Sequence, residues 1–417
     1  MTKTSNKSLS FAGLGISQSI LNQLVRLKFT EPTPIQHQAI PIAITGQDLM
    51  GIAQTGTGKT LAFGIPMIQR LHPNKGVGLI LLPTRELAAQ VDQSLQTLTQ
   101  GFGLRTAILI GGTPPGPQIR ALANNPHIII ATPGRLIDHL ENRKVKLNTV
   151  KILVLDEADR MLDMGFEPQI KKILATVPTK QRQTMLFSAT MPEKITRLAK
   201  SYMNSPLRVE VAPAGTTASS IEQEVFIVSK DKKLSLLNEL LNTYTKRILI
   251  FSRTKHGAKK ITRTVKAMGH KADEIHSNRS LIQRTKALKE FKLGSIRVLV
   301  ATDIASRGID VQDIEVVINY DLPDQAEDYV HRIGRTGRAG KGGKAISFAA
   351  PDQKRDLLII ERLVRTKLPV KPLPQMTKHI TAPKGPARGN SGSRKPRGNF
   401  NSQNRRRKPS KRRRTNR

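Results

Sequence analysis

The chain has 417 residues, no cysteine, 4% aromatic residues and a formal net charge of +38. Such a length allows two or three domains with separate cores, and the lack of cysteine excludes disulfides and thiolate metal sites and points to a reducing compartment. No apolar run reaches the ~18–20 residues that span a bilayer, and the first ten residues lack the apolar stretch of a secretory signal, so the expected location is cytoplasmic, with no membrane partner. A charge this large attracts polyanions and makes their binding depend on salt. Sixteen Lys and Arg residues, and no Asp or Glu, fall from residue 371 onward, which leaves +22 on residues 1–370. The body of the chain is therefore basic in its own right.

Residues 1–45 read as an N-terminal segment that packs on the first domain. A helix is expected over 17–27, with Ile20, Leu21, Leu24 and Val25 on one face. Pro32 and Pro34 then stiffen the connector, and Gln36 opens another helical pattern. In residues 46–211, apolar strands at 49–53, 78–82, 105–110, 128–131, 151–155, 184–187 and 208–211 alternate with helical stretches such as 85–97 and 170–177. Pro66 falls inside a predicted helix and should kink it or mark an irregular turn. This alternation predicts a parallel sheet with helices on both faces and its loops along one edge.

Residues 212–220 are small, polar and without periodicity, as a linker would be. The alternation resumes over 221–369, with strands at 223–228, 247–251, 272–275, 297–301, 315–319 and 344–349. The two halves echo one another: LILL at 79–82 precedes IIIAT at 128–132, and ILIF at 248–251 precedes VLVAT at 298–302. Two related α/β domains with mainly parallel sheets follow. Residues 370–417 have too little apolar surface to fold and are expected to form a disordered basic tail.

The chemistry begins at GQDLMGIAQTGTGKT, residues 46–60. A strand runs into a glycine-bearing loop and then a helix that opens at Lys59-Thr60. Gly56 and Gly58 permit turns that a Cβ would obstruct, so backbone N–H groups can converge on phosphate at the helix's positive end. Lys59 would reach the β- and γ-phosphates, and the Thr60 hydroxyl would take a place on Mg²⁺. Ala53 stands where the strict pattern begins with glycine. The strand at 152–155 ends in Asp156-Glu157-Ala158-Asp159. Taken alone, these carboxylates could simply cap the next helix; beside a phosphate loop, Asp156 would hold Mg²⁺ and Glu157 would polarise the attacking water.

The quartet DEAD at 156–159, with AQTGTGKT at 53–60, resembles the DEAD-box RNA helicases of helicase superfamily 2. The likeness covers roughly residues 11 to 350 and continues through PTREL at 83–87, Gly111-Gly112, TPGR at 132–135 and SAT at 188–190. In the second half come ATD at 301–303, SRGID at 306–310 and HRIGRTGR at 331–338. The resemblance implies two tandem RecA-like domains, ATP and Mg²⁺ as ligands, and hydrolysis of ATP on RNA. Phe29 would stack on adenine, Gln36 would bond its polar edge, and Thr55, Gly56, Thr57, Gly58, Lys59, Thr60 and Asp310 would complete the nucleotide contacts. Phe11 looks like the family's upstream aromatic and reads equally well as a core residue.

Catalysis would rest on Lys59, Asp156, Glu157 and two arginine fingers, Arg335 and Arg338. Ser188, Thr190 and His331 would couple the nucleotide to RNA. Arg85, Gly111, Gly112, Thr132, Gly134, Arg135 and Thr302 would hold the RNA backbone, which carries little base information. The expected partner is therefore single-stranded RNA or a short duplex, bound without sequence preference. The expected outcome is local unwinding or remodelling of RNA and RNA–protein complexes by a monomer, with ribosomal or RNA-decay proteins as further partners. An ATP-gated clamp or annealing factor would keep every one of these motifs. One departure stands out: the family usually has Gln three residues before an Arg after His276, and here that pair is Leu281 and Arg284. The short N-terminus, the His276-Ser277-Asn278 turn and the basic tail resemble the bacterial RhlE-type group, with the tail as an RNA tether.

Overall fold

Two seven-stranded parallel sheets carry the chain, and both have the same strand order. The computed structural model describes residues 9–54, 56–71, 76–211, 221–303, 311, 313–337, 342–376 and 380. In the first domain β1 (Leu49–Ile52), β2 (Val77–Leu81), β3 (Thr106–Leu109), β4 (Ile128–Ala131), β5 (Val150–Leu155), β6 (Gln183–Ser188) and β7 (Leu207–Glu210) line up as β3-β4-β2-β5-β6-β1-β7. In the second, β8 (Ile221–Ile227), β9 (Arg247–Phe251), β10 (Ala272–Ile275), β11 (Val298–Ala301), β12 (Ile314–Asn319), β13 (Gly343–Ala349) and β14 (Val370–Lys371) line up as β10-β11-β9-β12-β13-β8-β14. Counting each domain's strands from one to seven gives a single topology twice. The echo in the sequence has a structural cause: its segments are β2 beside β4 and β9 beside β11, with Leu79 opposite Ile129 and Ile248 opposite Val298.

Parallel strands covered on both faces need apolar residues at successive positions, and alternate side chains then serve opposite layers. Ile80, Ile130 and Val154 belong to the core on one face of the first sheet, and Leu79, Ile129 and Leu153 to the core on the other. The first layer is closed by α1 (Gln18–Arg26), α2 (Pro34–Thr45), α3 (Lys59–Leu71) and α4 (Arg85–Leu98). Helices α5 (Pro115–Ala123), α6 (Pro133–Glu141), α7 (Ala158–Asp163), α8 (Glu167–Leu174) and α9 (Glu193–Tyr202) complete the domain. The second domain carries α10 (Lys233–Thr243), α11 (Lys255–Ala267), α12 (Leu281–Lys292), α13 (Ala326–Ile333) and α14 (Lys354–Val364).

Pro66 lies inside α3, a single helix from Lys59 to Leu71, which excludes the irregular turn and leaves the kink as its expected effect. One expectation is corrected. Val370–Lys371, read from composition as the start of a disordered tail, forms β14 and pairs in parallel with β8. Met376 packs against the second domain's core, and the Ile380 N–H donates to Ser235 Oγ at 3.0 Å. A two-residue strand contributes almost no hydrophobic pattern of its own, which is why its composition misled. The linker at 212–220 and the basic residues beyond 380 lie outside the described residues.

Candidate nucleotide and RNA sites

The C-terminal edge of the first sheet is divided between two sets of residues. The residues expected to hold nucleotide follow β1, β5 and β6, and those expected to hold RNA, here called the RNA set, follow β2, β4 and β3 on the other half. Loops after parallel strands share one edge, where such sheets bind ligands.

Gly56 and Gly58 have φ of +88° and +91°, the region that glycine alone enters without strain. A Cβ on Gly58 would also run into the Gln36 side chain. Gln36 is buried, accepts from the Thr33 N–H at 2.9 Å and donates to the Gly58 carbonyl at 3.0 Å, tying the expected adenine segment to the phosphate loop. Lys59 opens α3, and its Nζ donates to the Ala53 carbonyl at 2.9 Å. A cavity of about 270 Å³ is lined by Gly56, Gly58, Lys59, Thr60, Asp156 and Glu157, with Lys292 of the second domain at its margin. Phe29 is partly exposed, as a stacking platform must be, whereas Phe11 is buried in the first domain's core. Of its two readings, the packing one describes Phe11. Thr55, Asp310 and Arg338 lie outside the described residues.

Asp156 is wholly buried. Desolvation pushes its carboxyl up to about 6, with Lys59 opposing and Glu157 reinforcing that rise. Such a site favours a cation. Among the described residues no three His, Cys, Asp or Glu side chains cluster as a metal cage, and Mg²⁺ does not require one. Mg²⁺ keeps several waters and takes one or two protein oxygens beside substrate phosphates, a donor set that Thr60 and Asp156 fit. Burial also raises Glu157, but Arg160, Lys59 and Arg335 together hold it below the usual carboxylate range. Glu157 sits at φ 51°, ψ 49°, a left-handed conformation that costs a non-glycine residue energy and clusters at functional sites.

Asp159, quoted in the motif without a role of its own, joins the two carboxylates to the SAT segment. Its Oδ2 accepts from the Ala189 N–H at 3.1 Å and from the Thr190 N–H and hydroxyl, both at 2.9 Å. Its own N–H donates to Ser188 Oγ at 3.3 Å. Thr190 then lines a small pocket with Gln54, His331, Gly334 and Arg335, so residues expected to couple the two domains share one pocket. Beside them Arg332 is locked on Asp303 by bonds of 2.5 and 2.6 Å and donates to the Asn319 side chain at 3.2 Å. Asp303 and Arg332 were quoted within the ATD and HRIGRTGR motifs, but their pairing, with Arg332 buried and Asp303 half-buried, was not foreseen from the sequence.

In the RNA set, Arg85 opens α4 behind the Thr84 cap, whose hydroxyl accepts from the Leu87 N–H at 3.2 Å. Its guanidinium lies across Gly111 and Gly112: a Cβ on Gly111 would stand 3.3 Å from Arg85 Nη2, and one on Gly112 would overlap Nη1. Gly134 has open space where a Cβ would be, and Thr132 precedes it as the residue before α6. Arg135 is held by the Thr113 carbonyl at 3.2 Å from both terminal nitrogens. Thr302, at the end of β11, donates its N–H to the Ile275 carbonyl at 3.2 Å. Arg284 bridges to Glu86 beside Arg85, and Leu281 packs against the first domain's apolar core.

A phosphate loop on one parallel α/β domain, faced by an arginine from a second domain of the same topology, defines a two-domain nucleoside triphosphatase. The sequence matches the DEAD/DEAH box helicase family over residues 33–198 and the helicase conserved C-terminal domain over 232–340. It is 43% identical over 364 residues to the DEAD-box ATP-dependent RNA helicase CshA of Bacillus licheniformis, covering 87% of this chain and 74% of that protein. It is 42% identical over 372 residues to the ATP-dependent rRNA helicase RRP3 of Debaryomyces hansenii, covering 88% and 78%. The fold resembles S. cerevisiae Dbp5 bound to RNA and ADP BeF3, with a TM-score of 0.78 at 30% identity over 87% of this chain and 96% of that one. It also resembles Mss116 bound to ssRNA and UDP-BeF, with a TM-score of 0.80 at 29% identity over 85% and 78%. The chain belongs to the DEAD-box ATP-dependent RNA helicases.

Proposed function

We propose that this helicase separates short RNA duplexes locally, by closing its two domains on ATP and on one RNA strand. The observation that carries this reading is that Arg335 of the second domain lines one pocket with Gln54 and Thr190 of the first, where its charge also helps to hold the Glu157 carboxyl low. Glu157 polarises the attacking water, Arg335 stabilises charge on the γ-phosphate, and both are in place only with the domains together. Mg²⁺ held by Thr60 and Asp156 would supply charge neutralisation at the phosphates. Lys59 orients the phosphates, and Gln36 relays the adenine segment to the loop through the Gly58 carbonyl. Asp159, through Thr190, passes the state of that site toward His331.

Arg85, Gly111, Gly112, Thr132, Gly134, Arg135 and Thr302 grip phosphates and sugars and leave the bases unread. A strand held this way follows a path that a continuous duplex cannot, and the partner strand is released. The protein acts as a cytoplasmic monomer, and the His276-Ser277-Asn278 turn and basic tail favour the RhlE-type group. Dbp5 and Mss116 were each solved with RNA, and the rRNA in the name of RRP3 makes ribosomal RNA duplexes the first to assay.

The test is steady-state ATP hydrolysis without nucleic acid, with single-stranded RNA and with DNA of the same sequence, alongside Glu157→Gln. Stimulation by RNA that Glu157→Gln abolishes is the expected result. Equal stimulation by DNA would overturn the substrate class, and full activity of Glu157→Gln would overturn the role of that carboxylate.

A further inference from the structure

Arg160 is buried to 2% exposure, and nothing in the mechanism above uses it. It lies one helical turn after Glu157, with Nη1 3.4 Å from Glu157 Oε2. That is an ion-pair distance, yet neither Nη1 nor Nη2 makes a hydrogen bond to any described residue. Burying a guanidinium without its hydrogen bonds is costly, and such a group calls for a functional explanation. The surroundings supply one. Arg160 also lines a cavity of about 10 Å³ with Asp303, Asp328, Arg332 and Arg335 of the second domain. Asp303 is already taken by the two bonds from Arg332. Arg160 is thus wedged between the second domain's charged rim and the Glu157 carboxylate.

We propose that Arg160 is a positioning residue for the hydrolytic step: its guanidinium holds the Glu157 carboxylate in the orientation that polarises water. This rests on the assignment of Glu157 above. The left-handed backbone at Glu157 sets where its side chain starts, and Arg160 sets where it ends. Seating of the second domain buries the guanidinium and strengthens its hold on the carboxylate, since a charge contact gains as water leaves. Arg160 does not line the phosphate-loop cavity and is not among the residues expected to hold RNA, so its loss should lower turnover and leave binding alone.

The experiment measures kcat and KM for ATP at saturating RNA in the full chain, for Arg160→Gln, Arg160→Lys, Glu157→Gln and Arg160→Gln/Glu157→Gln. Arg160→Gln is expected to lower kcat by about tenfold or more with KM for ATP within about twofold. Arg160→Lys, which keeps the charge but loses the fork, should recover part of that loss. In the Glu157→Gln background, measured by single turnover, Arg160→Gln should cost nothing more. Wild-type kcat in Arg160→Gln, or an equal further loss in the Glu157→Gln background, would overturn the proposal. If Arg160→Gln fails to fold, Arg160→Lys decides alone: a reduced kcat with unchanged KM supports the role, and wild-type kcat refutes it. A fully active Glu157→Gln would instead remove the assignment on which the role rests.

Discussion

Glu86 of the first domain and Arg284 of the second form a buried ion pair, with Arg284 Nη2 2.8 Å from Glu86 Oε1. Burial lowers the Arg284 pKa, Glu86 opposes this, and Arg85 adds to it. An arginine stays charged all the same, so the pair is an ionic contact between domains beside the residue expected to grip RNA. Truncating one partner strands the other charge at a cost of about 3–5 kcal/mol, whereas apolar replacement of both costs far less. Opening the cleft rehydrates the stranded charge, so the cost falls on the closed form. Arg284→Met should therefore weaken RNA-stimulated ATP hydrolysis sharply, and Glu86→Leu/Arg284→Met should recover much of it. Losses that simply add would show that the two residues act independently.

Leu281 begins the same helix, where the family's polar residue is expected, and packs against the first domain's apolar core. Its contribution to closure is hydrophobic. Partial burial of a leucine side chain stabilises by roughly 1 kcal/mol, so Leu281→Ala should weaken RNA binding about fivefold in the presence of a non-hydrolysable ATP analogue. Binding without nucleotide should stay as it was, because the domains are then not held together. An equal loss in both conditions would place Leu281 on the RNA path and remove it from the domain contact.

Thr190 gives Asp159 two of the three bonds that converge on Oδ2, one from its N–H and one from its hydroxyl, and Ala189 gives the third. Thr190→Val removes the hydroxyl and keeps both backbone donors, so folding stability should fall by only about 1 kcal/mol. Duplex separation per ATP hydrolysed should fall much further, since the hydroxyl that ties Asp159 to the pocket shared with His331 is lost. Parallel unwinding and ATPase assays check this, and an unchanged ratio would show that coupling takes another route.

The alternation of apolar strands and helices made the architecture legible, and the paired segments at 79–82 and 248–251 even announced the duplication. The phosphate loop was legible because its chemistry needs glycines and a Lys-Thr pair at fixed spacing. β14 was not, since two residues at a sheet edge make no pattern, and their neighbours look like tail. Arg160, and the pairing of Asp303 with Arg332 inside their quoted motifs, were not legible for another reason. Charged residues on short helices read as solvated faces, and only packing shows that 2% of Arg160 is exposed. Phe11 went to the core because an aromatic near an amphipathic helix is ambiguous until its neighbours are known.

His139 is buried with a ring nitrogen 3.1 Å from Gln118 Oε1. Burial lowers its pKa first, Arg135 lowers it further, and Asp138 partly offsets both. The folded protein therefore binds this proton less readily than the unfolded chain, whose histidines titrate near ~6.5. The resulting stability is fully present above that pH and is lost as pH falls through the unfolded value toward the folded one. Thermal midpoints measured between about pH 5 and 7 should drop less steeply for His139→Gln than for the wild type. Identical slopes would mean that the histidine is protonated equally in both states.

Two truncations separate the part of the basic segment that folds from the part that attracts RNA. Ending the chain after residue 382 removes fourteen of the sixteen Lys and Arg residues beyond 370 and leaves β14, Met376 and Ile380 in place. RNA affinity should fall at low salt, and the slope of log affinity against log salt should flatten by up to about 0.7 for each lost phosphate contact. Basal ATP hydrolysis and the thermal midpoint should not change. Ending it after residue 369 also deletes the seventh strand of the second sheet and the contacts that follow it. The edge of β8 is then bare, and the second domain should melt several degrees lower, since about 1 kcal/mol shifts a domain of this size by roughly 2–4 °C. If both truncations melt together at the wild-type temperature, β14 contributes nothing to the second domain, and the tail can be counted from residue 370.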